Sequence, residues 1–244
     1  QECAGQMQND VETLRDFYTT PLGHVVRRLI GRKIRARWRN LSGGRLMGFG
    51  FTTPYLSVFR DEVDCLGAMM PAQQGALVWP SQGDVQTALV DEDNLPLPDN
   101  SVDRLLVVHG LETAGTQRLL LREIWRVLAS GGRLLLVVPN RRGVWARTDR
   151  TPFGFGHPYS RSQLEDLLVD AMFRPTYWDA ALHAPPLQYR FIQKSVVAWE
   201  RIGQSTTPAF AGVLMVEAVK ELTAPSGRLK VAKVREETVL IPTS

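Results

Sequence analysis

The chain has 244 residues, of which 44% are hydrophobic and 22% charged, and its formal net charge is +4. This length suffices for one large domain with a buried core, and no apolar run approaches the roughly 20 residues that cross a bilayer, which excludes a membrane-spanning segment. The two cysteines, Cys3 and Cys65, are too few for a disulfide scaffold or a cysteine-based zinc site. Because the first ten residues are also too polar for a secretory signal, a reducing, cytoplasmic location is the simplest expectation.

The N-terminal 40 residues are predicted to form a helical extension. Asn9 or Asp10 caps a first short helix, and Thr20 followed by Pro21 is a typical start for a second one. Apolar residues then recur at helical spacing. They are Leu22, Val25, Val26, Leu29, Ile30, Ile34 and Trp38. This apolar stripe either packs on a sheet, which we favour, or lies on a membrane surface.

Basic residues are concentrated in and after the second helix. From Arg27 to Arg60 there are nine basic residues and no acidic ones. The nine are Arg27, Arg28, Arg32, Lys33, Arg35, Arg37, Arg39, Arg45 and Arg60. The run is either a solvated helix face or a surface for lipid or nucleic-acid phosphates or an acidic protein. Few aromatic residues are interleaved with it, so a protein partner is favoured over a nucleic acid.

Residues 41–244 are predicted to alternate strands with helices. Strands are expected after Arg45 and at 64–69, 87–90, 105–108, 134–138 and 212–218. The continuous apolar runs at 105–108 and 134–138 are typical of strands buried on both faces of a parallel sheet, and a helix over 116–129, ended by Gly131–Gly132, joins them. Ser160 with Gln163 forms a capping box, and a helical stretch containing Phe191 to Trp199 is expected. The fold class is therefore α/β, with a doubly wound, mostly parallel sheet.

Two long segments carry a family resemblance. They are LVDEDNLPLPDNSVDRLLVVHGLE at 89–112 and EIWRVLASGGRLLLVVP at 123–139. Both resemble class I S-adenosylmethionine-dependent methyltransferases, in particular the small-molecule group related to quinone-biosynthesis methyltransferases. The resemblance covers roughly residues 46–173. It implies a seven-stranded Rossmann-like sheet, S-adenosylmethionine as the cofactor, and a small or lipophilic methyl acceptor.

The resemblance also implies which residues form the cofactor site. It places Asp91 near the adenine amine, where a carboxylate accepts a hydrogen bond from an amine. Tyr18 would cover the site from the first helix. The remaining residues that it assigns to the cofactor are Gly48, Phe49, Gly50, Met69, Glu92 and His109.

His109 is the candidate catalytic residue, at the end of the predicted fourth strand. It could act as a base toward a hydroxyl or phenol substrate, or be a structural histidine satisfied by the backbone. Glu112 either orients a substrate or caps the next helix. In the loop that follows the fifth strand, His157 and Tyr159 either line the substrate mouth or only shape a turn. The four histidines are too dispersed for a metal site.

The sequence departs from the family pattern at three positions. Leu46 stands where the family has an acid before the first glycine, Thr52 replaces the third glycine, and Met69 stands where an acid holds the ribose hydroxyls. The cofactor motifs are thus degenerate. Beside a methyltransferase, the alternatives are a catalytically inactive binding or regulatory protein with this fold and, less favoured, an RNA methyltransferase that uses the basic run.

Overall fold

The computed structural model describes residues 10–148, 151–186 and 211–222, which form seven strands and five α-helices. The helices are α1 (Val11–Thr19), α2 (Pro21–Arg37), α3 (Thr53–Leu56), α4 (Gln117–Val127) and α5 (Arg161–Asp170). The strands are β1 (Arg45–Gly50), β2 (Cys65–Pro71), β3 (Thr87–Val90), β4 (Val102–Val108), β5 (Leu128–Pro139), β6 (Phe173–Ala181) and β7 (Val213–Lys220).

The seven strands form one sheet in the order β3-β2-β1-β4-β5-β7-β6. The first five strands pair in parallel, whereas β7 is antiparallel to both β5 and β6. The prediction of a mostly parallel, seven-stranded sheet is confirmed. The strand order reverses between β1 and β4, which is where ligands bind in open α/β sheets.

The sheet separates two hydrophobic cores. One core packs α1, α2 and α3 against one face, and the other packs α4 and α5 against the opposite face. Alternate residues of each strand belong to different cores: in β4, Leu106 and Val108 face the α2 side, while Leu105 and Val107 face α4. Such burial on both faces explains the continuous apolar runs of β4 and β5.

The predicted helix starts agree with the structure. The Asp10 carboxyl accepts a hydrogen bond from the Thr13 backbone N–H, and the Thr20 hydroxyl accepts one from Gly23. Ser160 and Gln163 form the complete capping box of α5. These signals depend on residues three apart in the chain, so they can be recognised without tertiary contacts.

Helix α2 packs on the sheet with its apolar stripe. Val26, Ile30 and Ile34 are buried in the core, so no apolar face of this helix remains for a membrane surface. The prediction of a sheet-packed helix is thus confirmed over the alternative of an interfacial one. Among the described helices, none combines the length and the apolar character needed to span a bilayer.

Three features differ from the sequence predictions. Helix α4 ends at Val127 and not at Gly131–Gly132, because Leu128 already pairs with Val102 of β4. Strand β6 was not predicted. The connection from β2 to β3, residues 72–86, contains no helix. The helical stretch expected at Phe191 to Trp199 lies outside the described residues.

Candidate functional site

Helix α1 lies across the carboxyl ends of the central strands. The Val11 backbone N–H donates to the carbonyl of Gln74, just after β2, over 2.8 Å. Farther along the helix, Tyr18 contacts His109, which directly follows β4. Phe17 packs edge-on against Phe153, beyond β5, with ring centroids 6.4 Å apart. The first helix therefore covers the carboxyl ends of the strands where the strand order reverses.

His109 is fully buried at the carboxyl end of β4, in the centre of the sheet. Its Nε2 lies 3.0 Å from the hydroxyl of Tyr18, and its carbonyl accepts a hydrogen bond from Gln74 Nε2 over 2.8 Å. The backbone of His109 has φ +52°, in the left-handed region that non-glycine residues rarely adopt. Such backbone strain persists only where surrounding contacts impose it, and it is frequent at functional sites.

Tyr18 supplies a neutral phenol to His109. Its ring stacks on Phe51 with centroids 5.4 Å apart, and its hydroxyl lies 2.8 Å from that of Tyr55. Burial raises the pKa of the Tyr18 phenol well above its usual value, and both Tyr55 and Glu112 raise it further. The phenol therefore stays protonated at ordinary pH and can donate its proton in a hydrogen bond to His109.

Glu112 is buried without a hydrogen-bond partner. Its side chain is 1% exposed, and Oε1 lies 3.3 Å from Nδ1 of His109. Neither carboxyl oxygen makes a hydrogen bond, and His109 Nδ1 makes none either. Leaving a buried polar group unpaired costs about 1–3 kcal/mol. Glu112 does not cap α4, because the helix begins after Thr116.

Two further buried polar atoms beside α1 lack partners. They are Oε1 of Gln74, after β2, and Oγ1 of Thr52, after β1. Together with Glu112 and His109 they follow β1, β2 and β4, the three strand ends that α1 covers. Unsatisfied buried groups are rare in folded proteins and call for a ligand, a water or a functional role.

The glycines predicted to make room for the cofactor are packed against the protein itself. A Cβ on Gly48 would collide with the Thr52 hydroxyl and come within 2.8 Å of Leu56 Cδ1. Gly50 has φ +81°, and a Cβ there would collide with the carbonyl of Val108. These residues are thus required for close packing of β1 against its own loop and against β4.

The other predicted cofactor residues are distributed between the core and the end of β3. The side chains of Phe49 and Met69 are buried in the core on the α4 side of the sheet. Asp91 is exposed at the end of β3. Glu92 Oε1 accepts a hydrogen bond from the Gly115 N–H over 2.7 Å, so it connects the end of β3 to the loop before α4.

Several residues of this site were not predicted from the sequence. Gln74, Tyr55 and Phe153 all contact Tyr18, Phe17 or His109, or their backbone. Each is at least 35 positions from its partner in this cluster, so no local spacing indicates the contact. Within the described ranges, no three His, Cys, Asp or Glu side chains come together as a metal site would require.

The basic run forms a second surface, a groove of about 890 Å³ between α2 and α3. Its basic lining residues are His24, Arg27, Arg28, Arg32, Arg35 and Arg39. Other members of the run are ion-paired, such as Lys33 with Asp179 and Arg45 with Asp103. Arg27, Arg28 and Arg32 form no salt bridge within the described chain, so the groove keeps a positive charge.

Residues 47–136 match the family model described as "Methyltransferase domain". The matched range runs from β1 into β5 and includes His109 and Glu112. No curated protein matches the sequence.

The fold is similar to that of solved methyltransferases. An S-adenosylmethionine-dependent methyltransferase of Thermotoga maritima is 18% identical, with a TM-score of 0.60 over 86% of this chain and 96% of that one. A chain from a complex of the Haloferax volcanii Trm112 methyltransferase activator with a methyltransferase gives 18% identity and a TM-score of 0.56, over 78% and 93%. The [4+2]-cyclase SpnF is 22% identical, with a TM-score of 0.54 over 80% of each chain. One fold thus hosts more than one reaction.

The family match and these structures imply S-adenosylmethionine as the cofactor. The residues present do not fit this molecule while α1 is in place. Tyr18 stacks on Phe51 over the end of β1, and Thr52 fills the space beside Gly48. The prediction that Met69 ends the second strand is wrong, because β2 continues to Pro71; Met69 is buried in the core and supplies no carboxylate for a ribose. With α1 in place, Tyr18 and Phe51 occupy the end of β1, where the fold implies the cofactor.

The sheet order, the matched range and the buried polar cluster all concern the same region. Strands β1 to β5 carry the family match, and the cluster around His109 lies at their carboxyl ends. Residues 47–136 therefore resemble a methyltransferase domain in sequence, and the fold of the described residues is similar to that of solved S-adenosylmethionine-dependent methyltransferases.

Proposed function

We propose that the protein is an S-adenosylmethionine-dependent methyltransferase whose acceptor is a small or lipophilic molecule. The observation that carries this proposal is the buried pair of His109 and Glu112, which has unpartnered polar atoms at the carboxyl ends of the central strands. Polar groups that are this deeply buried and unpaired lower the stability of the fold, which favours a role in binding a ligand. The basic run lies on another surface and is not needed for this chemistry.

The proposal gives each predicted site residue a role. His109 Nε2 accepts a hydrogen bond from the hydroxyl of the acceptor, and Glu112 positions the imidazole through Nδ1. Asp91 accepts from the adenine amine at the exposed end of β3. The backbone of Gly48, Phe49 and Gly50, together with Met69 and Glu92, borders the cofactor once α1 has carried Tyr18 away from the strand ends.

A second candidate function is a binding or regulatory protein that has lost catalysis. Leu46 and Met69 stand where carboxylates hold the cofactor in the family, and α1 closes the site. Two missing charge-assisted hydrogen bonds would weaken binding by about a hundredfold or more. This candidate is therefore distinguished from the first by cofactor affinity.

Calorimetric titration with S-adenosylhomocysteine, the demethylated cofactor, tests both candidates. The enzyme proposal expects weak binding by the wild type and tighter binding by Tyr18→Ala, because removal of this ring opens the end of β1. Tyr55→Phe is the matched control, since it removes a hydroxyl from the same cluster but leaves the Tyr18 ring in place. Absence of heat with wild type and Tyr18→Ala would contradict the enzyme proposal, whereas tight binding by the wild type would contradict the second candidate.

We also propose that the groove between α2 and α3 receives an acidic protein partner. The support is charge complementarity: Arg27, Arg28 and Arg32 lack ionic partners, and no exposed aromatic side chain lines the groove for base stacking. Fluorescence anisotropy with poly-L-glutamate should show binding that Arg28→Glu/Arg32→Glu abolishes and that Arg118→Glu, on α4, leaves intact. Tighter binding of an oligouridine, or no binding of poly-L-glutamate, would contradict a protein partner.

A further inference from the structure

Strand β3 forms one outer edge of the sheet. Among the described strands it pairs only with β2. The carbonyls of Gln86 and Val90 accept hydrogen bonds from the β2 side over 2.8 and 2.9 Å, so they face inward. Because backbone groups alternate in direction along a strand, the N–H and C=O groups of Thr87 and Leu89 point outward. Within the described chain, these outward groups have no strand to pair with.

The segment that precedes β3 packs on a face of the sheet and not along its edge. Leu77 and Trp79 pack against the core that contains α1, α2 and α3. The Thr87 hydroxyl donates to the carbonyl of Leu77 over 2.8 Å, which holds this segment above the strand. The outer side of β3 is therefore left open.

Exposed apolar side chains accompany this open edge. Val78, Val85 and Leu89 are 74%, 59% and 55% exposed. Val85 and Leu89 are four residues apart, an even spacing that places side chains on the same face of an extended chain. Single exposed apolar residues are common, but here three of them accompany one unpaired strand. The edge thus offers backbone groups and apolar contacts together, which are what an added strand needs.

The opposite edge of the sheet, β6, is protected against strand pairing. It carries the exposed charge of Arg174 and the proline Pro175, and its register shifts between Pro175 and Tyr177. Charges, prolines and irregular pairing are the features by which proteins block the addition of a foreign strand. The exposed residues of β3, Ala88 and Leu89, are apolar, and this strand contains neither a charge nor a proline. Of the two edges, only β3 is open to a further strand.

Charges at both ends of β3 indicate which kind of strand fits. Asp84 lies three residues before the strand and Asp93 three residues after it, and both are exposed. Neither forms an ion pair within the described chain. If two copies of β3 paired with each other, acidic ends would lie side by side, and like charges on neighbouring strands are destabilising. The charges therefore disfavour a second copy of this chain and favour a strand with basic ends.

We propose that the outer edge of β3 binds an extended segment of a partner protein, which joins the sheet as an eighth strand and carries basic residues at both ends. Thr87 and Leu89 supply the backbone hydrogen bonds, and Asp84 and Asp93 attract the basic ends. Asp91, which the proposed function assigns to the adenine amine, is not part of this surface. The inference goes beyond the proposed function, since it holds whether or not the protein transfers a methyl group.

The first test is fluorescence anisotropy with two labelled peptides, KVTVTVK and EVTVTVE, which differ only in the charge of their ends. The wild type should prefer KVTVTVK, and Asp84→Lys/Asp93→Lys should reverse this preference. Leu89→Lys, which places a charge on the open edge, should weaken binding of KVTVTVK about tenfold. Leu119→Lys, at an exposed leucine of α4, is the matched control and should leave it unchanged. No binding of KVTVTVK, or equal binding of both peptides, would overturn the proposal.

The second test uses the wild type, so it does not depend on the folding of a variant. In amide hydrogen exchange followed by NMR, KVTVTVK should slow the exchange of Thr87 and Leu89, whose N–H groups point outward. The exchange of Ala88, whose N–H faces β2, should stay unchanged. Unchanged exchange at Thr87 and Leu89 would show that the peptide binds through charge alone and would overturn the proposal. A wild-type dimer in sedimentation that Leu89→Lys dissociates would also overturn it, because the occupant would then be a second copy.

Discussion

Two glutamates of this protein have equally buried side chains but differ in the hydrogen bonds that their carboxyl groups accept. Glu217 of β7 and Glu112 after β4 each have a side chain that is 1% exposed. Glu217 accepts hydrogen bonds from Trp38 Nε1 at 2.8 Å and Arg133 at 2.8 Å, and it also pairs with Arg37. The carboxyl oxygens of Glu112 accept none.

The difference separates a carboxylate that stabilises the fold from one to which we assign a role in the proposed function. Through its bonds to Trp38 and Arg37, Glu217 attaches the carboxyl end of α2 to strand β7. Part of the basic run therefore stabilises the fold. Removing one partner of such a buried ion pair strongly destabilises the folded protein. The unpaired carboxyl of Glu112 lowers the stability of the fold. Its position beside His109 is consistent with a role in orienting the imidazole at the strand ends.

The largest expected effect is that of Glu217→Ala. This variant leaves Trp38 Nε1 without its acceptor and brings Arg37 and Arg133 together without a counter-charge. We expect the free energy of unfolding to fall by about 3 kcal/mol in urea denaturation, at the lower end for a broken buried pair because both arginines are partly exposed. Arg118→Ala, which removes an exposed pair with Asp170, is the control and should cost at most about 0.5 kcal/mol.

The same carboxylate should make stability depend on acid pH. Burial raises the pKa of Glu217, but hydrogen bonds from Trp38, Arg37 and Arg133 outweigh it and hold the pKa below its usual value. A lowered pKa in the folded state stabilises the protein above the unfolded value of about 4.3, and this contribution is lost as pH falls through the folded value. The stability difference between wild type and Glu217→Ala should therefore shrink below about pH 4. A difference that is constant with pH would contradict this assignment.

The smallest expected change in stability is that of Glu112→Gln, and its sign is opposite. Replacing an unpartnered buried carboxyl by an uncharged amide should leave the free energy of unfolding unchanged or raise it by about 1 kcal/mol. Glu217→Gln is the matched control and should lose stability. If Glu112→Gln instead loses about 2 kcal/mol or more, Glu112 has a structural partner and the comparison between the two glutamates fails.

The parts of the fold that were predictable are those with local or one-dimensional signals. The caps at Asp10, Thr20 and Ser160 and the apolar runs of β4 and β5 were predicted correctly. The end of α4 was not, because the glycine pair at 131 and 132 is overridden by pairing between β4 and β5. Strand β6 was missed because it is an edge strand with exposed polar residues such as Arg174, and its ladder shifts register near Pro175.

The sequence indicated two positions of the cluster that follow a strand, His109 and Glu112, and one on the first helix, Tyr18. His109 and Tyr18 were predicted, and the structure brings them together. Glu112 was noted from its position after β4, but its lack of hydrogen-bond partners depends on every side chain packed around it, which no sequence spacing encodes. The roles of the predicted cofactor residues remain predictions.

Thr20 terminates α1 and initiates α2 with a single oxygen atom. Its hydroxyl donates to the carbonyl of Phe17 over 2.7 Å and accepts from the N–H of Gly23 over 3.0 Å. Valine, which has the same shape, would lose both bonds, whereas serine would keep them. The Thr20 side chain therefore helps to hold α1 over the strand ends. The Thr20→Val substitution would weaken this attachment without changing any residue that we assign to ligand binding.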